Sequence, residues 1–383
     1  MDWIWHPDNM RVVDDLLAAR DARRAWRSSP SGGGLRALPR MRIAYFIPHH
    51  NVTGGMKMIV AQLEKLRDLG HWVLAVYRGP PGSPVLPPWA SATAADELLL
   101  IPPGANIQSE LPYVDVLMVG YFTQLLDFLP SHGGRLASVS SPPVVYWDQG
   151  HEHVFNDPGA HPDWDVVWHK VMHLPTVLLS VSDAVQDILL NNFCRIAPVV
   201  PNAVHSQAYS TLYAHCSIIR LPRACLCGAA GVKSVLIVGN PYLPLKNFET
   251  ALLVLNTVAA ACPFPLHVTW VCQVAPRVQH LQFVLHVIEN PPQSALPEIF
   301  SRGYDCLLFT SKYEAWGMPV LEAMAAGVPV VTSACFGVSA FCVPGLNCLQ
   351  ALPSDVPTLT AHVLAILMND TVRYHLLYGR ACV

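Results

Sequence analysis

Two carboxylates, Glu314 and Glu322, lie eight positions apart in the stretch Ser311–Thr332, which has the residue types of a phosphate-binding loop. The residues between them that we expect to lead into a helix are Gly317, Met318, Pro319 and Val320. Glycine lets the backbone approach a ligand closely, and proline suits a helix start because its missing N–H would be unpaired there. The sequence therefore predicts a helix over residues 320–326 that follows a glycine-containing loop and stops at Gly327.

The position of each carboxylate relative to this helix start suggests its chemistry. Unpaired N–H groups and the positive end of the helix dipole favour a phosphate there. Glu322, which we expect on the first helical turn, can reach past that phosphate to a pair of sugar hydroxyls. Glu314 follows the buried strand predicted over Cys306–Phe309 and faces the same place from the loop. The alternative interpretation is an ordinary strand, loop and helix with a capping glutamate.

Lys246 is the cationic candidate for the same ligand. It follows the predicted strand Ser234–Val238 and comes directly before the helix predicted over Phe248–Ala261. A charge-assisted contact from its ammonium group would neutralise a departing diphosphate. A solvated lysine at a helix start is the alternative.

Further candidates follow two strands in the first half of the chain. Gly54 and Gly55 close the loop after the predicted strand Arg42–Pro48, and His151 comes just after the strand predicted over Val144–Trp147. Ligands of doubly wound α/β domains bind at the carboxyl ends of strands, where we expect all three residues. A plain tight turn at the glycine pair and a surface histidine without a role are the alternatives.

The run from Glu314 to Val331 resembles the E-x7-E signature of the retaining glycosyltransferases of family 4, which have two Rossmann-like domains, the GT-B fold. The pattern of Glu, small residue, aromatic, Gly, x, Pro, x, Leu-Glu-Ala-Met-Ala, then Gly-x-Pro-Val-Val is long and specific. The resemblance covers about Met41–Val383, with a weak patch over Gln207–Gly231. Asn240 is a departure, because relatives usually have an arginine there.

The resemblance implies an activity and roles for the candidates in the second half of the chain. A sugar would move from a nucleotide-diphosphate sugar to an acceptor with retention of anomeric configuration, without a metal or another cofactor. Glu322 would hold the ribose hydroxyls, and Glu314 would contact and orient the donor sugar. The backbone of residues 317–320 and the ammonium of Lys246 would stabilise the departing diphosphate.

The resemblance also implies an acceptor side in the first half. Gly54 and Gly55 match a loop that comes close to the donor diphosphate and the acceptor. His151 matches a histidine that contacts the transferred sugar, with His153 as an equal rival. The expected partners are a nucleotide sugar and a carbohydrate or lipid-linked acceptor of unknown identity.

The predicted fold class is α/β, with two Rossmann-like doubly wound domains facing across a cleft. In relatives a final helix crosses back to the first domain, and we expect this crossover helix to be missing here. The predicted parts are a disordered extension over 1–40, an acceptor-side domain over 41–206, an irregular linker over 207–231 and a nucleotide-sugar domain over 232–383.

Composition limits the class of protein. The 383 residues carry a net charge of −3, so no basic stripe argues for nucleic acid. Hydrophobic residues make up 52% and charged residues 13%, yet no segment offers about 20 unbroken apolar residues for a membrane span. Peripheral membrane contact stays open. The 11 cysteines lack metal-site spacing, which favours reduced thiols and a cytoplasmic location, while organelle targeting by residues 1–40 stays open.

A catalytically degenerate homologue that binds sugar nucleotide or nothing is the second hypothesis, favoured by Asn240, the irregular linker and the missing helix. An epimerase or a phosphorylase could share the two-domain fold, but the E-x7-E run argues against both. The sequence does not identify the sugar, the nucleotide base or the acceptor.

Overall fold

The structure is a computed structural model that describes residues 39–129, 131, 142–150, 166, 169–205, 208–209 and 231–379. The described residues divide into two compact units. Those within 39–203 form the first unit, and those within 204–383 form the second unit.

The first unit is a parallel sheet with helices in its connections. Its strands are β1 (Arg42–Ile47), β2 (Trp72–Arg78), β3 (Glu97–Ile101), β4 (Val116–Val119), β5 (Val144–Asp148) and β6 (Val177–Ser180). Its helices are α1 (Gly54–Asp68), α2 (Ile107–Glu110) and α3 (Asp183–Phe193), with 3₁₀ turns at Phe122–Phe128 and Val171–His173.

The second unit repeats this plan. Its strands are β7 (Lys233–Val238), β8 (Leu266–Cys272), β9 (Val284–Glu289), β10 (Cys306–Phe309), β11 (Val330–Ser333) and β12 (Leu349–Ala351). Its helices are α4 (Phe248–Ala261), α5 (Leu296–Phe300), α6 (Met318–Ala325), α7 (Val356–Met368) and α8 (Asp370–Gly379). Its 3₁₀ turns are Pro244–Lys246, Gln293–Ala295 and Phe336–Ala340.

Both sheets have the strand order of a doubly wound fold. The first runs β3-β2-β1-β4-β5-β6 and the second runs β12-β11-β10-β7-β8-β9, with parallel pairing throughout. In each sheet the order reverses beside the first strand, between β1 and β4 and between β7 and β10. Ligands of such sheets bind outside the carboxyl ends of the strands at this switch point. The prediction of two Rossmann-like α/β domains is confirmed.

The core of the second unit shows why its central strands are apolar along their whole length. Every residue of β10 is buried, as expected for a parallel strand covered by helices on both faces. Helix α4 buries Ala251, Val254, Leu255 and Val258, a stripe at helical spacing that packs in the same core cluster as β7 and β8.

In both units an aspartate directly before the fourth strand accepts a hydrogen bond from the start of the first strand. Asp115 Oδ2 accepts a hydrogen bond of 2.7 Å from the N–H of Arg42, at the start of β1. Asp305 Oδ2 accepts one of 2.9 Å from the N–H of Ser234, at the start of β7. The buried guanidinium of Arg373 on α8 also lies 3.1 Å from Asp305 Oδ1, so this carboxylate has a charged partner.

The predictions for the glycine pair and for the start of the helix after Glu314 were wrong. Helix α1 begins at Gly54, because Thr53 caps it by accepting from Met56 N–H, so the glycine pair forms the first turn rather than the end of a loop. Helix α6 begins at Met318, after the N-cap residue Gly317. Glu322 is therefore its fifth residue and does not lie on the first turn. The sequence analysis also missed β3, β12 and α8.

Among the described residues, no helix combines the length and the apolar character that crossing a bilayer requires.

We predict that Arg373→Met destabilises the second unit by about 1.5–3 kcal/mol, because the buried Asp305 carboxylate loses its guanidinium hydrogen bond while the Lys233 ammonium stays 3.9 Å away. Urea unfolding combined with hydrogen exchange resolved by peptide measures the loss and assigns it to a unit. The matched control is Arg302→Met, whose exposed ion pair with Glu298 spans 3.6 Å and should contribute about 1 kcal/mol or less. Equal effects of the two variants would contradict the buried ion pair.

Candidate functional site

An ion pair lies beyond the carboxyl ends of β7 and β10. Lys246 Nζ lies 2.6 Å from Glu314 Oε1, although 68 positions separate the two residues. The hydroxyl of Ser311 donates to the same oxygen at 2.8 Å. Because the Glu314 residue is only 8% exposed, these two donors compensate a charge that is largely removed from water. The structure thus brings together two of the predicted site residues.

Asn247 connects the loop between β7 and α4, which contains Lys246, to the loop that follows β10. Its backbone adopts a left-handed conformation with φ of 55°, which asparagine tolerates better than most residues. Its side-chain amide donates to the carbonyls of Thr310, at 3.1 Å, and Pro353, at 2.9 Å. The N–H of Lys312 donates to Leu245 at 2.8 Å, which adds a backbone contact between the same loops. The sequence analysis missed this positioning residue, whose signal was an asparagine directly before a helix.

Close backbone packing also holds in place the loop between β10 and α6 that contains Glu314, the Glu314 loop. The N–H of Gly337 donates to the carbonyl of Glu314 at 2.9 Å. A Cβ atom on Gly337 would lie only 2.4 Å from that carbonyl oxygen and from neighbouring backbone atoms of Ala315 and Trp316. Gly317 has φ of +91°, and a Cβ there would lie 2.6 Å from the Val338 side chain. Both positions therefore require glycine.

The start of α6 offers fewer N–H groups than the sequence suggested. Pro319 has no N–H, and the N–H of Val320 donates to the carbonyl of Gly317 at 3.0 Å. The backbone donors of this stretch that remain candidates for a phosphate are those of Gly317 and Met318.

Glu322 lies one helical turn after Met318, on the same face of α6. Because the Cα–Cβ bonds of a helix tilt toward its N-terminus, we expect the Glu322 side chain to lean toward the helix start. The Glu322 residue is only 3% exposed. The second predicted carboxylate thus belongs to a buried residue one helical turn after the candidate phosphate position.

Two further side chains of this region are buried, the thiol of Cys335 and the indole of Trp316. Burial, and next the Glu314 carboxylate, raise the pKa of the Cys335 thiol to about 12, so this cysteine is protonated at neutral pH. The indole Nε1 of Trp316 is buried without a hydrogen-bond partner, and its ring lies 5.2 Å from that of Phe341. Within the described ranges, no group of three His, Cys, Asp or Glu side chains could hold a metal ion.

The predicted residues of the first unit are only partly described. Gly54 and Gly55 form the first turn of α1, where a Cβ on Gly55 would approach Gln149 Oε1 to 3.0 Å. That oxygen and His49 Nδ1 are buried without hydrogen-bond partners, and the sequence analysis selected neither residue. Burial, and next the neighbouring His50, lower the pKa of His49. His151 and its rival His153 lie outside the described residues.

Comparison with known sequences finds similarity in the second unit. Residues 279–376 match the family model described as Glycosyl transferases group 1, a range that includes Glu314 and Glu322 but not Lys246. Over 82 residues the chain is 38% identical to the O-antigen chain mannosyltransferase B of Escherichia coli. This match covers 21% of the present chain and 21% of that relative, so the chain aligns with about a fifth of the relative's length.

Comparison with solved structures extends over most of the chain. Sucrose-phosphate synthase from Thermosynechococcus elongatus superposes with a TM-score of 0.66 at 17% identity, covering 90% of this chain and 94% of that chain. HepE of Anabaena in complex with UDP-glucose superposes with a TM-score of 0.63 at 14% identity, covering 89% and 95%. At such low identity these likenesses show the fold alone, which is the GT-B type.

We predict that Gly337→Ala displaces the Glu314 loop, because the added Cβ would overlap backbone atoms that cannot rotate away. Overpacking of this kind costs about 1–3 kcal/mol. Hydrogen exchange should show faster exchange across residues 311–317 than in the wild type. The control is Ala340→Ser in the same 3₁₀ turn, where the side chain is exposed and exchange should be unchanged. Wild-type exchange in Gly337→Ala would mean that the close approach does not hold the loop.

Proposed function

We propose that this chain is a retaining glycosyltransferase whose second unit binds a nucleotide-diphosphate sugar. The observation that carries the proposal is the 2.6 Å ion pair between Lys246 and Glu314, located at the sheet's switch point beside the start of α6. The match of residues 279–376 to the group 1 family supports the same reaction class. A GT-B fold alone would not support it, because one fold hosts many functions.

The donor phosphates would lie at the start of α6. The N–H groups of Gly317 and Met318 and the positive end of the helix dipole favour an anion there. The Lys246 ammonium carries three donors, so its ion pair with Glu314 is compatible with a phosphate contact. These fixed groups would stabilise the negative charge that develops on the departing diphosphate, which is the main catalytic contribution we assign to the protein.

The two carboxylates would bind the two sugars of the donor. Glu322, one helical turn after the helix start, would accept hydrogen bonds from the ribose hydroxyls. Glu314, oriented by Lys246 and Ser311, would hold the transferred sugar so that its anomeric carbon faces the acceptor. We assign no covalent nucleophile. Retention predicts that the product keeps the donor's anomeric configuration, which proton NMR of the product measures.

UDP sugars are the first donors to test, because HepE, a protein of the same fold, has been solved with UDP-glucose. The E. coli relative is named as a mannosyltransferase, which adds GDP as a second nucleotide to compare. The reaction is proposed to need no metal, and the same titrations with and without EDTA test this. The acceptor and the cytoplasmic location stay predictions, as do acceptor-side roles for Gly54, Gly55 and His151.

We predict that one of UDP, GDP and ADP binds saturably in calorimetric titration, and that Glu322→Ala weakens this binding at least about 10-fold. The loss follows because a hydrogen bond to a charged group contributes about 1.5–3 kcal/mol. The control is Glu298→Ala on α5, whose side chain is exposed and should leave the affinity unchanged. If a folded wild-type protein binds none of the three, the proposed function is wrong and the degenerate homologue is favoured.

We predict that Lys246→Met weakens binding of the preferred nucleoside diphosphate but not of its nucleoside, since the ammonium would contact phosphate alone. The affinity ratio between the two ligands separates this effect from a general loss of structure. Because Lys246→Met leaves Glu314 buried without its ammonium partner, the double variant with Glu314→Gln serves as the matched control. Equal weakening of nucleoside and nucleoside diphosphate would place Lys246 outside the phosphate site.

A further inference from the structure

Three side chains of the first unit carry a buried polar atom that the proposed reaction leaves without a role. The atoms are His49 Nδ1, Gln124 Oε1 and Gln149 Oε1, and none of them has a hydrogen-bond partner among the described residues. His49 and Gln149 follow the carboxyl ends of β1 and β5, and Gln124 lies in the 3₁₀ turn after β4. Because β1, β4 and β5 are neighbours in the sheet, the three side chains share the edge that includes its switch point.

Specific contacts position these side chains but leave the three atoms unpaired. The Nε2 of Gln124 donates to a backbone carbonyl of β1 at 2.9 Å. The ring of His49 packs edge-to-face against Tyr121, with ring centroids 6.3 Å apart. Gln149 lies against the first turn of α1, because a Cβ on Gly55 would approach its Oε1 to 3.0 Å. Gln124 is 5% exposed, whereas His49 and Gln149 are half-buried and therefore partly open to solvent.

Buried polar atoms without partners work against folding. Native proteins leave few of them, because each one loses its hydrogen bonds to water and gains none in return. Three such atoms after three neighbouring strands therefore indicate a function at this edge of the sheet rather than a contribution to stability.

The chemistry of the three atoms matches the hydroxyl groups of a carbohydrate. An amide oxygen only accepts, and that of Gln124 is fixed in this role because its Nε2 already donates to β1. Burial, and next the neighbouring His50, lower the pKa of His49, so its ring is neutral at pH 7 and offers one donor and one acceptor nitrogen. A sugar hydroxyl can donate to an oxygen and accept from a nitrogen. A phosphate dianion has no proton to donate to an amide oxygen.

We propose that His49, Gln124 and Gln149 bind the hydroxyl groups of an uncharged sugar, and that this sugar is the acceptor of the proposed reaction. The inference rests on the proposed function, and it narrows the acceptor to a carbohydrate that presents free hydroxyls to the first unit. The ring of Tyr121, 40% exposed beside His49, offers an apolar surface against which the sugar ring can pack.

The role of these side chains is to hold one acceptor hydroxyl in position for transfer. In the transfer, the oxygen of that hydroxyl forms a bond to the anomeric carbon of the donor sugar while the bond from that carbon to the diphosphate breaks. The hydroxyl proton passes to the released diphosphate, so the three side chains bind and orient the acceptor without being consumed or changed.

The first test titrates the full chain with the methyl glycosides of glucose, galactose, mannose and N-acetylglucosamine, in the absence of nucleotide, and follows the ligand signals by NMR. At least one glycoside should bind saturably. Hydrogen exchange should then slow in the peptides that contain residues 49–56 and 121–125. If no glycoside binds, or if exchange slows in the second unit alone, the proposal is wrong.

The second test removes one unpaired atom at a time and keeps a side chain of similar size, in His49→Phe and Gln149→Met. Each variant should weaken binding of the preferred glycoside about 5-fold, as expected for one hydrogen bond between uncharged groups. The control for the first variant is His173→Phe in the same unit, because His173 is exposed and its ring meets Phe193 edge-to-face at 5.8 Å. Wild-type affinity in both site variants would overturn the proposal.

Thermal unfolding separates binding from a structural role. Gln149→Met should keep or raise the unfolding midpoint, because the variant removes a buried acceptor that has no partner among the described residues. The matched control is Gln186→Met, which should lower the midpoint because the Gln186 amide donates to the carbonyl of Ala197 at 2.8 Å. A lower midpoint in Gln149→Met without weaker glycoside binding would mean that the amide only bonds a buried water, and the proposal would fail.

Inorganic phosphate tests an anion as the alternative ligand, because the positive end of the α1 dipole and Lys57 lie near the same edge. In a phosphate-free buffer, added phosphate should neither displace the bound glycoside nor slow exchange in residues 49–56. Displacement of the glycoside by phosphate would overturn the assignment to an uncharged sugar.

Nucleotide titration distinguishes failure of this inference from failure of the proposed function. If the wild type binds a nucleoside diphosphate but no glycoside, only the carbohydrate subsite fails. If it binds a glycoside but none of UDP, GDP and ADP, the acceptor role fails together with the proposed function. If it binds both, the KM of the glycoside in the transfer reaction should rise about 5-fold in His49→Phe, and an unchanged KM would overturn the acceptor role.

Discussion

A carboxylate removed from water must be paired, and the candidate site is arranged around this requirement for Glu314. Its partners come from different loops, Lys246 after β7 and Ser311 after β10, so the ion pair forms only when both loops are in place. The loops depend on the ion pair in turn, because an unpaired charge at this depth would cost several kcal/mol. The ion pair and the loop conformations therefore stabilise one another, and a ligand meets groups whose positions are already set.

The precision of this arrangement depends on backbone contacts more than on the charged atoms. Asn247 joins the two loops through its amide, while Gly337 allows the backbone of the Phe336–Ala340 turn to touch that of the Glu314 loop. Backbone atoms have little freedom to adjust, so these contacts define the direction of the carboxylate more tightly than a long side chain could. The left-handed conformations of Asn247 and Gly317 also help to position the two loops, since each turns the chain sharply before a helix.

Local patterns of apolar residues in the sequence predicted a large part of this structure. The bounds of α4 and β10 agree with the predictions to the residue, because an apolar stripe at helical spacing and a short apolar run are local signals. The start of α6 was placed two residues late, since the N-cap glycine and the proline at the second position both admit an earlier start. The contact of Asn247 with Pro353 spans 106 positions, and such pairing depends on tertiary packing that no local pattern records.

The aspartate before the fourth strand of each unit has a consequence for how the chain acquires its fold during synthesis. Asp115 pairs with Arg42 across 73 positions, and Asp305 pairs with Ser234 across 71. The two central strands of a sheet can thus join only after about 70 residues have left the ribosome, and contacts of such long range fold slowly. Until then the first strand of each unit pairs only with the second strand, and its other edge stays open to aggregation.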